Sequence, residues 1–117
     1  MAHDAHNIGI IGASDEAILA ALAAIQKMGG GIVAVNGMGQ VTASLALPVA
    51  GLMSREKFED LIPKIEQLRR AVAALGCPLK EPFLQMSFLA LPVIPALKIS
   101  DLGLIDVDAQ QILPIFA

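Results

Sequence analysis

The side chains best suited to chemistry lie near the start of the chain, where His3, Asp4, His6 and Asn7 fall within five positions. Imidazole and carboxylate groups can bind metal ions or transfer protons. In an extended segment Asp4 and His6 would share one side while His3 points to the other, so the segment alone does not form a compact three-ligand metal site. Two interpretations remain open: a polar end that anchors the strand after it, or side chains that line a site completed by other residues.

A glycine-containing turn follows at residues 9–14. It runs from a predicted strand into a predicted helix, as phosphate-binding turns do. The full glycine fingerprint of such turns is missing, and Asp15 and Glu16 would repel a phosphate at that helix end. The sequence therefore does not favour a nucleotide-phosphate site here.

The remaining candidates for reactive groups are weaker. Cys77 stands beside Pro78 with no histidine near it in sequence, which favours a packed thiol. Three carboxylates lie near the C-terminus: Asp101, Asp106 and Asp108. They lack the spacing and the bidentate glutamate of a calcium-binding loop, so solvent-exposed turn residues are favoured. No serine triad, catalytic carboxylate pair or CxxC motif is found, so the sequence predicts no catalytic residue and no metal ligand.

Composition narrows the class of protein. Of the 117 residues 56% are hydrophobic, well above ordinary usage, so a large apolar surface must be covered. The net charge of −3 and the scattered basic residues argue against nucleic-acid binding. The lone cysteine fits a reducing compartment, and we expect a cytoplasmic protein with one domain at residues 1–117. No membrane span or signal peptide is predicted, because the longest apolar stretches are too short or interrupted by proline.

The first predicted elements are a strand and a helix. The apolar run at residues 8–12 predicts a buried strand, and Ser14 is a candidate N-cap for the helix after it. That helix has no polar residue at positions 17–25. Large apolar residues form one stripe and alanines the opposite face; the stripe consists of Ile18, Leu19, Leu22, Ile25 and Met28. We expect this helix to be covered on two sides, the second by another domain or subunit.

The middle of the chain predicts a β-hairpin. Apolar and β-branched runs at residues 32–35 and 41–47 flank a turn at residues 36–39 that contains an Asn-Gly pair. Residues 29–31, all glycine, are predicted to end the preceding helix, and Ser54 to cap the next one.

The second helix is amphipathic, and Pro63 predicts a kink or a fresh start within it. After Gly76, residues 88–91 predict a strand, and a turn at residues 100–103 separates two further apolar segments. The tail from residue 111 is a candidate edge strand. Together these elements predict an α+β fold, a ferredoxin-like β-α-β-β-α-β layer with a C-terminal β extension.

Four strings of this sequence carry a family resemblance: AHDAHNI at residues 2–8, GGG at residues 29–31, LPVAGLMS at residues 47–54 and SFLALPVIP at residues 87–95. In order and spacing they resemble the C-terminal domain of bacterial adenine deaminases, across nearly all of the chain. Members of that family convert adenine and water to hypoxanthine and ammonia, with divalent metals held in a (β/α)₈ barrel. No residue of this sequence can be matched to the metal ligands of that barrel.

The resemblance implies that the chain is the C-terminal portion of an adenine deaminase, with a packing or assembly role. Alone it would be inactive and bind no cofactor; Mn or Fe and adenine would bind only in the complete enzyme. Its partner would be the catalytic barrel or another copy of itself. The resemblance also suggests that His3, Asp4, His6 and Asn7 lie near the active-site mouth or the domain interface. The alternative is a free-standing α+β binding or oligomerisation module without catalysis.

Overall fold

The computed structural model describes residues 5–116. The contacts group them into two compact units: residues 10–82 make one, and residues 5–9 with residues 83–116 make the other. The interpretation of residues 1–117 as one domain stays a prediction. Within the described residues, no helix combines the length and the apolar character needed to cross a membrane.

The unit formed by residues 10–82 is a β-hairpin between two helices. Helix α1 (Asp15–Met28) leads to strands β1 (Gly31–Val35) and β2 (Val41–Ala46), which pair antiparallel, and helix α2 (Phe58–Ala74) follows. Both helices contact both strands. Because buried and exposed residues alternate along β2, the two helices cover the same face of the hairpin.

Local hydrogen bonds set the ends of α1. The Ser14 hydroxyl accepts a hydrogen bond from the backbone N–H of Ala17 at 3.3 Å, as predicted for an N-cap. At the other end Gly29 has a left-handed φ of 72°, and its N–H and that of Gly30 donate to carbonyls of the last turn. These bonds satisfy backbone groups that a helix leaves unpaired at its ends.

The turn predicted between β1 and β2 is confirmed, and the side chain of Asn36 holds it. Its Oδ1 accepts hydrogen bonds from the backbone N–H groups of Met38 and Gln40, at 3.0 and 2.9 Å. Gly39 has a φ of 75°, which glycine adopts without steric cost. The turn is therefore ordered by its own residues.

The core of this unit is small. Ala34 of β1 pairs with Ala43 of β2, and both are buried. Among residues 5–116 the large side chain that is fully buried is that of Leu68 in α2, at 1% exposure. The buried apolar residues of the unit are Ala21, Ala34, Ala43, Leu45, Leu47 and Leu68.

The other unit carries a three-stranded sheet. Helix α3 (Pro82–Ser87) begins at the unit boundary and runs into a 3₁₀ helix (Phe88–Ala90). Strands β3 (Leu97–Ser100), β4 (Gly103–Asp106) and β5 (Gln111–Leu113) then form an antiparallel sheet in chain order. The predicted turn at residues 100–103 and the predicted edge strand in the tail are both confirmed.

The α+β class is therefore confirmed. The hairpin between α1 and α2 is consistent with a ferredoxin-like arrangement, and β3 to β5 form the C-terminal β extension. Two predicted strands are wrong. Residues 8–12 form no strand, and Ile8 and Ile11 are exposed. Residues 88–91 instead form the 3₁₀ turn, in which the N–H of Leu91 donates to the carbonyl of Phe88.

In α1, Ala21 from the alanine face is buried and Leu19 from the large apolar stripe is exposed. The covering of this helix on its second side by another domain or subunit stays a prediction. The start of α2 differs from the prediction. Helix α2 begins at Phe58 and runs through Pro63 without a fresh start. Ser54 does not cap it; its hydroxyl accepts a hydrogen bond from the N–H of Glu56 at 3.0 Å.

Candidate functional site

The GGG and LPVAGLMS strings, far apart in sequence, meet in the unit of residues 10–82. The carbonyl of Gly30 accepts a hydrogen bond from the N–H of Leu47 at 3.1 Å. A β-carbon built on Gly30 would lie 2.6 Å from the Cα atom of Gly51, which no side-chain movement can relieve because both atoms belong to the backbone framework. Glycine at position 30 is therefore required for this approach.

The LPVAGLMS string folds into a tight turn at this contact. The N–H of Leu52 donates to the carbonyl of Val49 at 3.0 Å. The central residues Ala50 and Gly51 have φ values of 55° and 71°, the positive values that a type I′ turn requires. Ala50 pays a steric cost for this conformation, because its Cβ crowds the backbone there.

In the other unit the structure brings parts of the AHDAHNI and SFLALPVIP strings together. Ala5 from the first and Ala90 with Pro92 from the second line a depression of about 180 Å³, which Ser100 and Asp101 complete. The four strings thus meet in two pairs, one pair in each unit. The sequence did not single out Ser100 as a site residue; only its place in the turn after β3 pointed to it.

Of the predicted site residues the structure describes His6 and Asn7, which follow Ala5 in the chain. His3 and Asp4 lie outside the described residues. His6 and Asn7 are both exposed, and His6 has a left-handed φ of 53°, which histidine adopts more readily than most residues. The site role of His3, Asp4, His6 and Asn7 stays a prediction.

The described residues that line the depression include no groups arranged for a reaction. The Ser100 hydroxyl accepts a hydrogen bond from the N–H of Leu102 at 3.0 Å and donates to the carbonyl of Gly103 at 3.5 Å, so it stabilises its own turn. Asp101 is exposed. Nowhere in residues 5–116 do three or more His, Cys, Asp or Glu side chains come together as metal ligands. The described residues therefore do not fit a divalent-metal centre.

The ion pairs of Arg69 hold the chain in position and do not form a reactive site. Arg69 of α2 bonds Glu66 at 2.7 Å and Glu81 at 2.5 Å, which ties the segment after the helix to its surface. The hydrogen bond to Glu81, and then that to Glu66, raises the pKa of the Arg69 guanidinium above its ordinary value. Arg69 is thus a fixed cation that positions the chain, not a group that transfers protons.

Exposed apolar side chains are the most pronounced feature of the surface of the described residues. Large apolar side chains that reach solvent occur in both units, including Leu19, Met38, Met53 and Phe58 in one, and Val93, Leu97, Ile99, Leu102 and Ile115 in the other. Single exposed apolar residues are ordinary in globular proteins, but surfaces with many of them mark interaction sites. These residues are therefore the candidate positions of a contact surface.

Comparison with known proteins gives a consistent result. Residues 1–111 match the family model described as the adenine deaminase C-terminal domain. The chain is 45% identical to an adenine deaminase of Dehalococcoides mccartyi, over 97% of this chain and 20% of that protein. It is 52% identical to adenine deaminase 1 of Rhizobium meliloti over 91% of this chain and 19% of that protein. It is 51% identical to an adenine deaminase of Brucella abortus, over 92% of this chain and 18% of that protein.

The chain thus spans about one fifth of the length of the curated relatives it matches. No solved structure matches it.

Proposed function

Because the chain belongs to the adenine deaminase C-terminal domain family, we propose that it is the C-terminal part of an enzyme that converts adenine and water to hypoxanthine and ammonia. Within that enzyme it acts as a packing or assembly domain. Its partner is the catalytic part of the enzyme, which precedes this domain in the chain. Adenine binds in the complete enzyme only.

One observation supports the packing role above the others. The chain is unusually apolar, yet its described part buries few apolar side chains and leaves many large ones at the surface. Burial of apolar surface contributes roughly 25 cal/mol per Å², so leaving such side chains in water forgoes a large stabilisation that a partner surface can recover. A domain built to be covered accounts for both facts.

The metal of the complete enzyme is proposed to lie outside this chain. A divalent Mn or Fe ion, when bound, would supply a metal-activated water for attack on the purine ring. The described residues do not fit such a centre, as their His, Cys, Asp and Glu side chains form no group of three. The contribution of this domain is then to position and cover the catalytic part.

The test is complementation between two polypeptides. The part of the Rhizobium meliloti relative that precedes its C-terminal domain is produced alone, and adenine deamination is measured with and without this chain. We expect neither polypeptide to release ammonia alone and the mixture to do so. A preceding part that is equally active and stable without this chain would contradict the packing role.

His3, Asp4, His6 and Asn7 are proposed to lie near the active-site mouth or the domain interface of the complete enzyme. The support for this placement is that the string lies within residues 1–111, which match the family model, and that His6 and Asn7 are exposed and so accessible to a partner. There these side chains would orient substrate or support metal ligands through hydrogen bonds. Alanine replacements in the complete enzyme test this: lost turnover with normal stability and metal content is expected, and lost stability with normal turnover in the folded fraction would contradict it.

The second candidate, a free-standing oligomerisation module, is favoured by the exposed Leu19 on α1. Light scattering of the isolated chain over a range of concentrations separates the two. Copies that associate without the preceding part of the enzyme, and whose association does not weaken when that part is added, would favour the module.

A further inference from the structure

Strand β3 has the reverse of the usual pattern of burial. Its apolar residues Leu97 and Ile99 are 52% and 57% exposed, whereas the polar residues between and after them, Lys98 and Ser100, are half-buried. A strand with one face on a core normally turns its apolar side chains inward and its polar ones outward. Here the apolar face of β3 is turned to solvent.

The same face continues across the sheet. Ile99 pairs directly with Leu104 of β4, and Leu104 pairs with Leu113 of β5. Directly paired residues of antiparallel strands lie on the same face, so these three side chains form a row across all three strands. Leu97 pairs with Asp106, which pairs with Gln111, so the same face carries these two polar side chains at one end. We call its apolar part, Leu97, Ile99, Leu104 and Leu113, the open sheet face.

The position of this sheet in the chain indicates its occupant. The family is a C-terminal domain and the chain spans about one fifth of its relatives, so most of the enzyme precedes it. Residues 5–9, where that preceding polypeptide would join, belong to the same unit as β3 to β5. A covalently joined partner that enters at this unit has a high effective concentration there, which favours even a modest contact.

A second copy of the chain is a less suitable occupant. Stable complexes between free proteins bury about 800 Å² on each partner, roughly 20 to 30 residues a side. The open sheet face consists of four aliphatic side chains, two of them already half-buried. This is too little for a dimer of separate copies, but sufficient for one part of a contact within a single polypeptide.

We propose that the open sheet face docks on the part of the adenine deaminase polypeptide that precedes this domain. The proposal rests on the proposed function and adds the surface through which the packing occurs. Ile99 is its central side chain. It is exposed, it begins the row that continues through Leu104 and Leu113, and Leu97 lies two positions before it on the same face of β3.

The test uses a full-length chimera in which this chain replaces the C-terminal domain of the Rhizobium meliloti relative. Ile99→Glu places a charge on the open sheet face. Leu102→Glu is the matched control, because Leu102 is 72% exposed in the turn between β3 and β4 but is not one of the paired residues of the face. Docking is measured by hydrogen exchange of the β3 to β5 amides and by the rate of proteolysis at the junction with the preceding part.

We expect Ile99→Glu to speed exchange and cleavage by about tenfold to a hundredfold, the range that corresponds to losing the burial of one large aliphatic side chain. Leu102→Glu should change both rates by less than about threefold. Leu97→Ser, a milder change on the same face, should speed both rates by an intermediate factor. It keeps the test valid if the charged variant Ile99→Glu does not fold.

Three results would overturn the proposal. Equal effects of Ile99→Glu and Leu102→Glu in an active chimera would remove the docking surface and leave the proposed function intact. Protection of β3 to β5 that depends on protein concentration would assign the face to a second copy. An unmodified chimera that folds but does not deaminate adenine would count against the proposed function and this inference together.

Discussion

Gly30 and Gly51 pack backbone against backbone, so closely that a β-carbon on Gly30 would lie 2.6 Å from the Cα atom of Gly51. Both residues have positive φ values, 116° and 71°. Gly30 follows α1 and Gly51 lies in the turn after β2, so this contact fixes the end of the first helix against the chain that leads to the second. The contact makes different predictions for Gly29 and Gly30, two neighbouring glycines of the GGG string.

Gly30→Ala is expected to destabilise the chain by about 3 kcal/mol or more, the sum of backbone strain and the clash with Gly51. Gly29→Ala should cost about 1 kcal/mol, because its β-carbon meets nothing within 4 Å and only its φ of 72° is unfavourable. Gly37→Ala is the control, with open space and no positive φ. Urea unfolding followed by circular dichroism measures all three; equal costs at positions 29 and 30 would contradict the clash.

Ala50→Gly should stabilise the turn. The left-handed φ of 55° costs an alanine about 1 kcal/mol, and glycine removes that cost while adding part of it back as flexibility of the unfolded chain. The net gain expected is about 0.5 kcal/mol. Ala50→Val should move the unfolding midpoint the other way, since a β-branched residue is least tolerant of this conformation. Thermal unfolding in which glycine lowers the midpoint would refute the assignment of strain.

The two long helices differ at their N-termini, and stability should reflect this. Ser14→Ala removes the hydroxyl that accepts the Ala17 N–H, and should cost about 1 kcal/mol. Helix α2 has Lys57 at its N-cap with no side-chain hydrogen bond, so Lys57→Ser should stabilise by about 0.5 to 1 kcal/mol. Chemical denaturation compares the two; no loss for Ser14→Ala would show that this cap is dispensable.

Substitutions at a buried and at an exposed position of α2 should affect the free energy of unfolding differently in the isolated chain and in the complete enzyme. The free energy of unfolding is measured by urea denaturation in both. Leu68→Ala is expected to cost about 2 to 5 kcal/mol in the isolated chain, because Leu68 is fully buried. Phe58→Ala should stay within about 0.5 kcal/mol there, since Phe58 is exposed. If the apolar surface is covered in the complete enzyme, Phe58→Ala should become destabilising in that setting. Phe58→Ala with no effect in either setting would place Phe58 outside the covered surface.

Several local features could be predicted because neighbouring residues supply the chemistry. The hairpin follows from Asn36 and Gly39 between two apolar runs, and the ends of α1 follow from Ser14 and Gly29. The strand predicted at residues 8–12 failed for the opposite reason. A short apolar run is compatible with several structures, and a strand forms only where a partner strand satisfies its backbone groups.

The family resemblance was also readable from the sequence, through the order and spacing of four strings, and the match of residues 1–111 to the family model confirms it. What those strings do in space was not. Only the tertiary structure set GGG against LPVAGLMS, and brought Ala5 beside Ala90 and Pro92. These contacts join residues distant in the chain, so no local pattern encodes them.

The sequence by itself thus determined the caps of α1, the hairpin turn, the α+β class and the excess of apolar residues. The tertiary structure decided which apolar residues are covered: it buried Ala21 and left Leu19 in solvent, and it turned Ile99 outward while half-burying Lys98. Capping and turn formation depend on hydrogen bonds between residues a few positions apart. The buried face of a helix or strand depends instead on partners brought from elsewhere in the chain, because burial is a property of the packed surfaces and not of the segment.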